Sequence, residues 1–518
     1  MGEIKQYLIS MGVPSIKKYV FGTDRLIEIR GASALLDNLN RKETALYLQN
    51  QLPGSQVDCV FANGGSAQFI VTAKEGDVDR CLRNLEAFFL AETRGEVRLI
   101  FGKAELSEAN YTSARSKAYL DSEKKAHGAP FISNSTIHTG FLRECDSCSG
   151  IASQIQNYDD EQRVLCDSCY RKANYGKEAK SALWQEFSDK LSKKGVQTTR
   201  PASFEEIGQY GSANKGYTAL VYADGNGMGK LIKGIQSWQE YRFFSETVDT
   251  ALREACHESL FEVFWSSPNQ VWRTLPAEIM LAGGDDLLVY ITADKAIPFA
   301  IKTADKFRAN TQKAFASSQY PFFRNSLNGE GVTISLGIAI GKIHTPFSIL
   351  LMQAEELLNS AKRAGSSHKR SNPFIFPTYI DYHLTSYYNQ INVEDCRSDH
   401  LKIETSKAIR LYHKPYSVEE ARTLLTYAEK LAMSKIPRTR LKRFGYAPAL
   451  GKMNGTLECL KLYTRTSDEI QQTLIREALS HFGCFFNMPW NEKNPEYDWT
   501  MLVDLMELVD LFSADSSD

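Results

Sequence analysis

Residues 281–290 read LAGGDDLLVY: two apolar runs joined by Gly283, Gly284, Asp285 and Asp286. Such a segment predicts a tight hairpin whose glycines let the chain turn and let a phosphate come close to the backbone. Neighbouring carboxylates at a hairpin tip repel one another unless water or cations screen them, and an all-oxygen ligand set suits Mg²⁺ or Mn²⁺. A plain turn is the competing reading, because Gly and Asp are turn formers. A second element favours chemistry. Residues 218–232, TALVYADGNGMGKLI, predict a buried strand ending in Asp224, then a loop of Gly225, Asn226 and Gly227, then Lys230. The loop alone is a weak signal, since calcium loops and turns look similar. Set one folding unit ahead of the hairpin, it becomes a strong one. If the first strand lies beside the hairpin, Asp224 faces Asp285 and Asp286. Three convergent carboxylates suit two divalent ions, one activating a 3′-hydroxyl and the other neutralising a triphosphate. Backbone N–H groups of residues 225–229 are then available to phosphate oxygens.

Two further features bear on that chemistry. Lys362 falls near the end of the helix expected after the last strand, and could hold a triphosphate; a cation favouring a helix C-terminus explains it equally well. Lys230 has the same alternative, as a surface lysine. Cys145, Cys148, Cys166 and Cys169 have the spacing of a four-cysteine zinc ribbon. Four thiolates leave no open coordination position, so this zinc is expected to be structural. The other six cysteines, Cys59, Cys81, Cys256, Cys396, Cys459 and Cys484, read as core thiols. The basic run Lys435, Arg438, Arg440, Lys442 and Arg443 fits a solvated helix end better than an RNA contact. No HExxH and no His-Asp dipeptide occur among the nine histidines.

The elements that must position these residues follow a repeated order. Residues 216–364 predict strand, long helix (237–264), hairpin (279–282 and 287–291), helix (296–316), strand (332–340). A last helix opens at Thr345 and Pro346 and closes at Gly365. This βαββαβ order is ferredoxin-like. Residues 1–105 predict the same order: a helix over 32–51 bracketed by Gly31, a hairpin at 57–62 and 67–73, a helix at 77–90 and a strand at 97–101. Residues 63–71 line up with 282–290, placing Gly64 and Gly65 on the paired glycines and Ser66 and Ala67 where the acids stand. Residues 106–140 read as irregular and about 172–210 as a charged helical linker. Residues 386–518 carry only helical signals.

The fold class expected is α+β: two ferredoxin-like palms (1–125 and 211–385), a zinc ribbon with helical linker (126–210) and a C-terminal helical bundle (386–518). The chain has 518 residues, is 43% hydrophobic and 24% charged, and has a formal net charge of −1. That excludes a whole-chain basic footprint for nucleic acid. No signal core and no apolar run long enough to cross a bilayer is found, so no membrane role and a cytoplasmic location are expected.

In motif and order the chain resembles the Cas10/Cmr2 family, the large palm-cyclase subunits of type III CRISPR effector complexes. The resemblance rests on YADGNGMGKLI, LAGGDDLLVY, the cysteine quartet and the degenerate first palm, and covers nearly the whole chain. It implies conversion of ATP into cyclic oligoadenylates in antiviral defence. It implies Mg²⁺ or Mn²⁺ at Asp224, Asp285 and Asp286, and nucleotide contacts at Gly225, Asn226, Gly227, Lys230, Gly283, Gly284 and Lys362. A second nucleotide is then expected against Gly64, Gly65 and Ser66, with other effector subunits and guide and target RNA as partners. Two departures stand out. No HD nuclease motif precedes the first palm, so single-strand DNA cleavage is not expected. Asn226 stands where many relatives carry a second aspartate. Alternatives left open are a cyclase using other nucleotides or closing a mono- or dinucleotide outside a CRISPR complex, and a non-catalytic nucleotide-binding scaffold.

Overall fold

A computed structural model describes residues 3–107, 110–128, 142–158, 161–178, 182–211, 216–266, 271–368, 370–385, 392–403, 407–466, 468–485 and 487–512. The first palm is built from β1 (Ile4–Gly12), α1 (Ile16–Val20), α2 (Leu26–Asn38), α3 (Thr44–Gln51), β2 (Val57–Asn63), β3 (Ser66–Lys74), α4 (Glu75–Glu92), β4 (Ile100–Glu105) and α5 (Tyr111–Gly128). Its sheet has the order β2-β3-β1-β4. Helices α2 and α3 join through a π turn at Leu39–Glu43, so the helix starts earlier than expected and Gly31 lies inside it. A Cβ on Gly31 would overlap the Lys172 carbonyl, so this glycine marks a close helix crossing and not a helix end. The irregular reading of 106–140 is likewise corrected by α5. Its buried residues Tyr111, Ala114 and Ala118 are too few and mostly too small to give a strong periodic signal. Residues 129–141 lie outside the described residues.

The ribbon hairpin β5 (Gln154–Tyr158) and β6 (Glu161–Leu165) leads into α6 (Asp167–Glu178), α7 (Ala182–Lys193) and α8 (Phe204–Gly208). Helix α6 docks on the first palm through buried Lys172, which bonds the Tyr19 carbonyl at 2.9 Å and Glu96 at 3.0 Å.

The second palm comprises β7 (Tyr217–Gly225), α9 (Met228–Gly234), α10 (Trp238–Phe264), β8 (Ala277–Gly283), β9 (Asp286–Thr292), α11 (Ala293–Ala316), α12 (Pro321–Leu327), β10 (Ile334–Lys342), α13 (Phe347–Ser367) and β11 (Tyr379–Leu384). Ser237 caps α10 by accepting the Glu240 N–H. Helix α13 begins one residue later than expected, with Pro346 as its cap, and continues past Gly365 to Ser367. The palm's strands run in the order β11-β10-β7-β9-β8, which puts β7 between β10 and the hairpin strand β9.

The C-terminal region contains α14 (Val393–His400), α15 (Val418–Ala432), α16 (Arg438–Tyr446), α17 (Lys452–Thr464), α18 (Glu469–His481) and α19 (Leu502–Phe512). Between them run short strands β12 (Lys402–Ile403), β13 (Ala408–Arg410), β14 (Tyr416–Ser417) and β15 (Tyr497–Trp499). These strands of two or three residues have no readable period and were not expected. The basic run is mostly paired within the bundle: Arg438 and Lys442 with Asp510, and Arg443 with Glu458.

The two palms cover each other reciprocally. Helix α2 lies along β8, where Ser33 donates to the Met280 carbonyl at 2.9 Å. Helix α10 lies along β2, where Phe61 and Tyr241 pack edge to face at 5.0 Å. One apolar core joins Ile29 and Leu36 to Tyr222 and Leu288, and another joins Leu8 and Ile70 to Val248 and Leu252. Burial of this extent locks the palms into one unit.

Candidate active site

Strand register brings the three carboxylates together. Ala223 pairs with Leu287 across β7 and β9, so the next position opposes Asp224 to Asp286. Opposed residues on neighbouring strands stand about 4.5–5.5 Å apart and share a face. Asp285 sits in the turn, with its carboxylate folded back over Gly225. A Cβ on Gly225 would lie 2.5 Å from Asp285 Oδ2, so glycine is needed there for the approach. The carboxyls of Asp224 and Asp285 are in hydrogen-bonding contact. Lys362 of α13 pairs with Asp224 Oδ2.

Crowding of like charges shows in the acidities. Burial, then the Asp224 charge, pushes Asp285 up to about 6. Burial, then Asp224 and Asp285, pushes Asp286 up to about 7. Both groups therefore keep their protons to a higher pH than a free carboxyl does, unless cations neutralise them. A hard, all-oxygen cluster in this condition fits Mg²⁺ or Mn²⁺.

Of the remaining expected contacts, Gly283 and Gly284 form the turn, Gly284 with φ +63°. Gly227, with φ +70°, lies under the Phe376 ring, which a Cβ would strike. Lys230 is directed to that same ring, with Nζ 5.0 Å from its centroid, and pairs with none of the three carboxylates among the described residues. Asn226, expected at the nucleotide, is bonded to β10. Its side chain is buried, donates to Thr333 at 3.0 Å and accepts from Ser335 at 2.9 Å, so it pins the loop to β10.

The hairpins show a one-residue slip from the sequence alignment. Asn63 pairs with Ser66, and Gly283 with Asp286, so Gly65 and Ser66 occupy the positions of Asp285 and Asp286. The shared bulges agree: Cys59 and Phe61 lie four and two residues before Asn63, as Ile279 and Leu281 lie before Gly283. The Gly65 face is taken by Ile16, while Ser66 is exposed with its hydroxyl on the Asn63 carbonyl at 3.3 Å.

Several neighbours escaped the sequence reading. Asp249 of α10 accepts the Gly284 N–H at 2.7 Å and pairs with Arg41 of the first palm at 3.0 Å. Asn63 donates to Ser245 at 3.1 Å. Ser245, Asp249 and Arg253 recur every four residues and so share one face of α10, and this was the available signal. Lys17 lies 4.8 Å from the Tyr222 ring, pairs with Glu355 at 2.6 Å and eases the Asp286 shift. On the other side, burial and the Asp285 charge raise the Tyr241 phenol to about 12, against the pull of Arg115. In the ribbon, the four Sγ atoms lie within 4.8 Å of one another. Zinc bonded to sulfur at about 2.3 Å sets tetrahedral sulfurs roughly 3.8 Å apart, so the quartet fits.

The fold and site define a tandem palm protein with three carboxylates gathered at the hairpin of its second palm. Residues 217–371 match the family model for Cas10/Cmr2, second palm domain. That match takes in the second palm, which is therefore similar to the second palm of Cas10 proteins. Among solved structures it is similar to the Csm1–Csm4 cassette in complex with pppApA, at 14% identity and TM-score 0.58, covering 98% of this chain and 69% of that one. The cassette in complex with cA4 matches at 13% identity and TM-score 0.57, covering 98% and 70%. Csm1 of T. onnurineus matches at 13% and 0.55, covering 99% and 70%. No curated protein sequence matches the chain. No helix among the described residues is long and apolar enough to cross a membrane.

Proposed function

We propose that the chain is a metal-dependent nucleotidyltransferase that joins ATP into cyclic oligoadenylate within a type III effector complex. The observation that carries this reading is the convergence of Asp224, Asp285 and Asp286 beside Lys362, at the meeting line of two palms. Asp224, Asp285 and Asp286 would hold two Mg²⁺ or Mn²⁺ ions, which when bound would lower the pKa of a 3′-hydroxyl and neutralise the triphosphate. Lys362 and Lys17 supply positive charge from opposite sides, one from each palm. Gly225 leaves room for Asp285, and Gly283 and Gly284 leave bare backbone beside the acids for a phosphate to meet. Asp249 fixes the turn, which lowers the reorganisation needed when charge develops. Asn226 acts as a strut. The first palm keeps the hairpin but not the acids, and serves to hold a second nucleotide near Gly64 and Ser66. The ribbon's zinc is structural. Likeness to Csm1 paired with Csm4 supports assembly with a further subunit.

The test is incubation with ATP and Mn²⁺ or Mg²⁺, alone and with partner subunits and target RNA, with products read by mass spectrometry. A four-nucleotide mixture separates adenylate products from those of other bases. Product that persists in the Asp285→Ala/Asp286→Ala chain overturns the assignment. Nucleotide binding without turnover beside native partners and RNA indicates a scaffold.

A further inference from the structure

A cavity of about 320 Å³ lies between α2, β8 and the start of α7, behind the hairpin and apart from the three carboxylates. Its lining carries five cations, Arg30, Arg41, Lys42, Arg200 and Arg253, against two carboxylates, Asp37 and Glu278. The volume is that of a small-ligand site.

The acids here are shared. Buried Glu278 accepts from Arg30 at 2.9 Å and also from Arg200. Asp249 serves Arg41 at 3.0 Å and Arg253 at 3.1 Å, besides the Gly284 N–H. Arg41 also pairs with Asp37 at 2.7 Å and Arg253 with Glu186 at 3.3 Å, so four guanidiniums meet four carboxylates and Lys42 adds the one further positive charge of the lining. Arg253 is only 9% exposed, and its Nη2 is buried with no hydrogen-bond partner. An unpaired buried guanidinium nitrogen costs stability, and a phosphoryl group is the anion whose geometry guanidinium forks match. The remaining wall is apolar and aromatic, with Leu26, Ile29, Tyr175 and Met280. Such a surface receives the organic part of a ligand and not a second phosphate.

We infer that this cavity is a second ligand site, which binds one organic phosphate of mononucleotide size independently of the carboxylate cluster. Arg253 and the Arg30–Arg200 pair take the phosphoryl group, and the apolar wall takes the ring. Through Asp249 the site shares a hydrogen-bonded partner with the Gly284 turn.

The test uses the full chain carrying Asp285→Asn/Asp286→Asn, so that divalent ions cannot anchor nucleotide at the cluster. Adenosine monophosphate, inorganic phosphate and adenosine are titrated calorimetrically. Adenosine monophosphate is expected to bind one per chain, and adenosine at least roughly tenfold more weakly. Arg253→Gln weakens the nucleotide by a similar factor. Ala34→Phe fills the cavity while keeping every ion pair, and abolishes binding; it decides alone if the arginine variant does not fold. Absence of saturable binding in the millimolar range, or binding unchanged by Ala34→Phe, overturns the inference whatever the fate of the catalytic reading.

Discussion

Gly64 and Gly283 stand tip to tip: a Cβ built on Gly283 would lie 3.5 Å from the Gly64 backbone nitrogen. The two hairpins thus approach backbone to backbone here, with the Asn63 amide against Gly284 beside them, and the nucleotides proposed for each palm share this line. Gly64 has φ +54°, where a side chain costs about 1–2 kcal/mol. Gly64→Val is expected to keep the fold but lower product formation roughly tenfold by parting the tips. Product yield at matched folded fraction, set by circular dichroism, checks this.

The lysines divide the work. Lys362 pairs with Asp224, and Lys17 lies on the Tyr222 and Glu355 side. Removing one positioned charge from such a site costs roughly a hundredfold in turnover. Lys362→Ala is expected to reach that loss, with partial recovery in Lys362→Arg. Lys17→Ala, on a more exposed side chain, is expected to lose about tenfold, mostly in KM for ATP. Steady-state kinetics of the three variants checks the order.

The pH dependence has a defined sign. Asp285 and Asp286 titrate at about 6 and about 7 in the folded chain, raised by burial and the neighbouring Asp224 charge. The unfolded chain releases these protons near pH 4. Between those limits the folded state binds more protons, so cation-free stability falls as pH rises through about 4 to 7. Mn²⁺ is expected to raise the melting temperature more at about pH 8 than at about pH 5, where protons compete with the ion. In Asp285→Asn/Asp286→Asn the cation increment disappears. Thermal melts at both pH values, with and without Mn²⁺, measure it.

Both palms were legible because their apolar strands and Gly-rich turns sit close together in sequence. The carboxylate cluster was legible because register follows from that order. What was not legible depends on contacts across the chain. Gly31 looks like a helix boundary until α6 crosses it at Lys172. Asn226 looks like a ligand until Thr333 and Ser335 from β10 occupy its amide. The hairpin alignment slipped because matching glycine to glycine outweighed the pairing of Asn63 with Ser66. Asp249 carried only a weak helical stripe, and its meaning comes from Arg41, which is 208 residues away.

The zinc ribbon gives an independent check. Ser147, between the first cysteine pair, donates to Glu28 of α2 at 2.9 Å, so the metal loop braces the first palm. Cys145→Ser/Cys148→Ser is expected to lower bound zinc from one per chain to none and to open residues 142–178 to limited proteolysis. Elemental analysis and digestion patterns report both.

Anomalous diffraction from crystals soaked with Mn²⁺ and a non-hydrolysable ATP analogue bears most directly on the shared carboxylate cluster. The expected result is two manganese peaks about 3.5–4 Å apart, bonded to oxygens of Asp224, Asp285 and Asp286. Manganese absent from these three side chains while the nucleotide is bound would contradict the account.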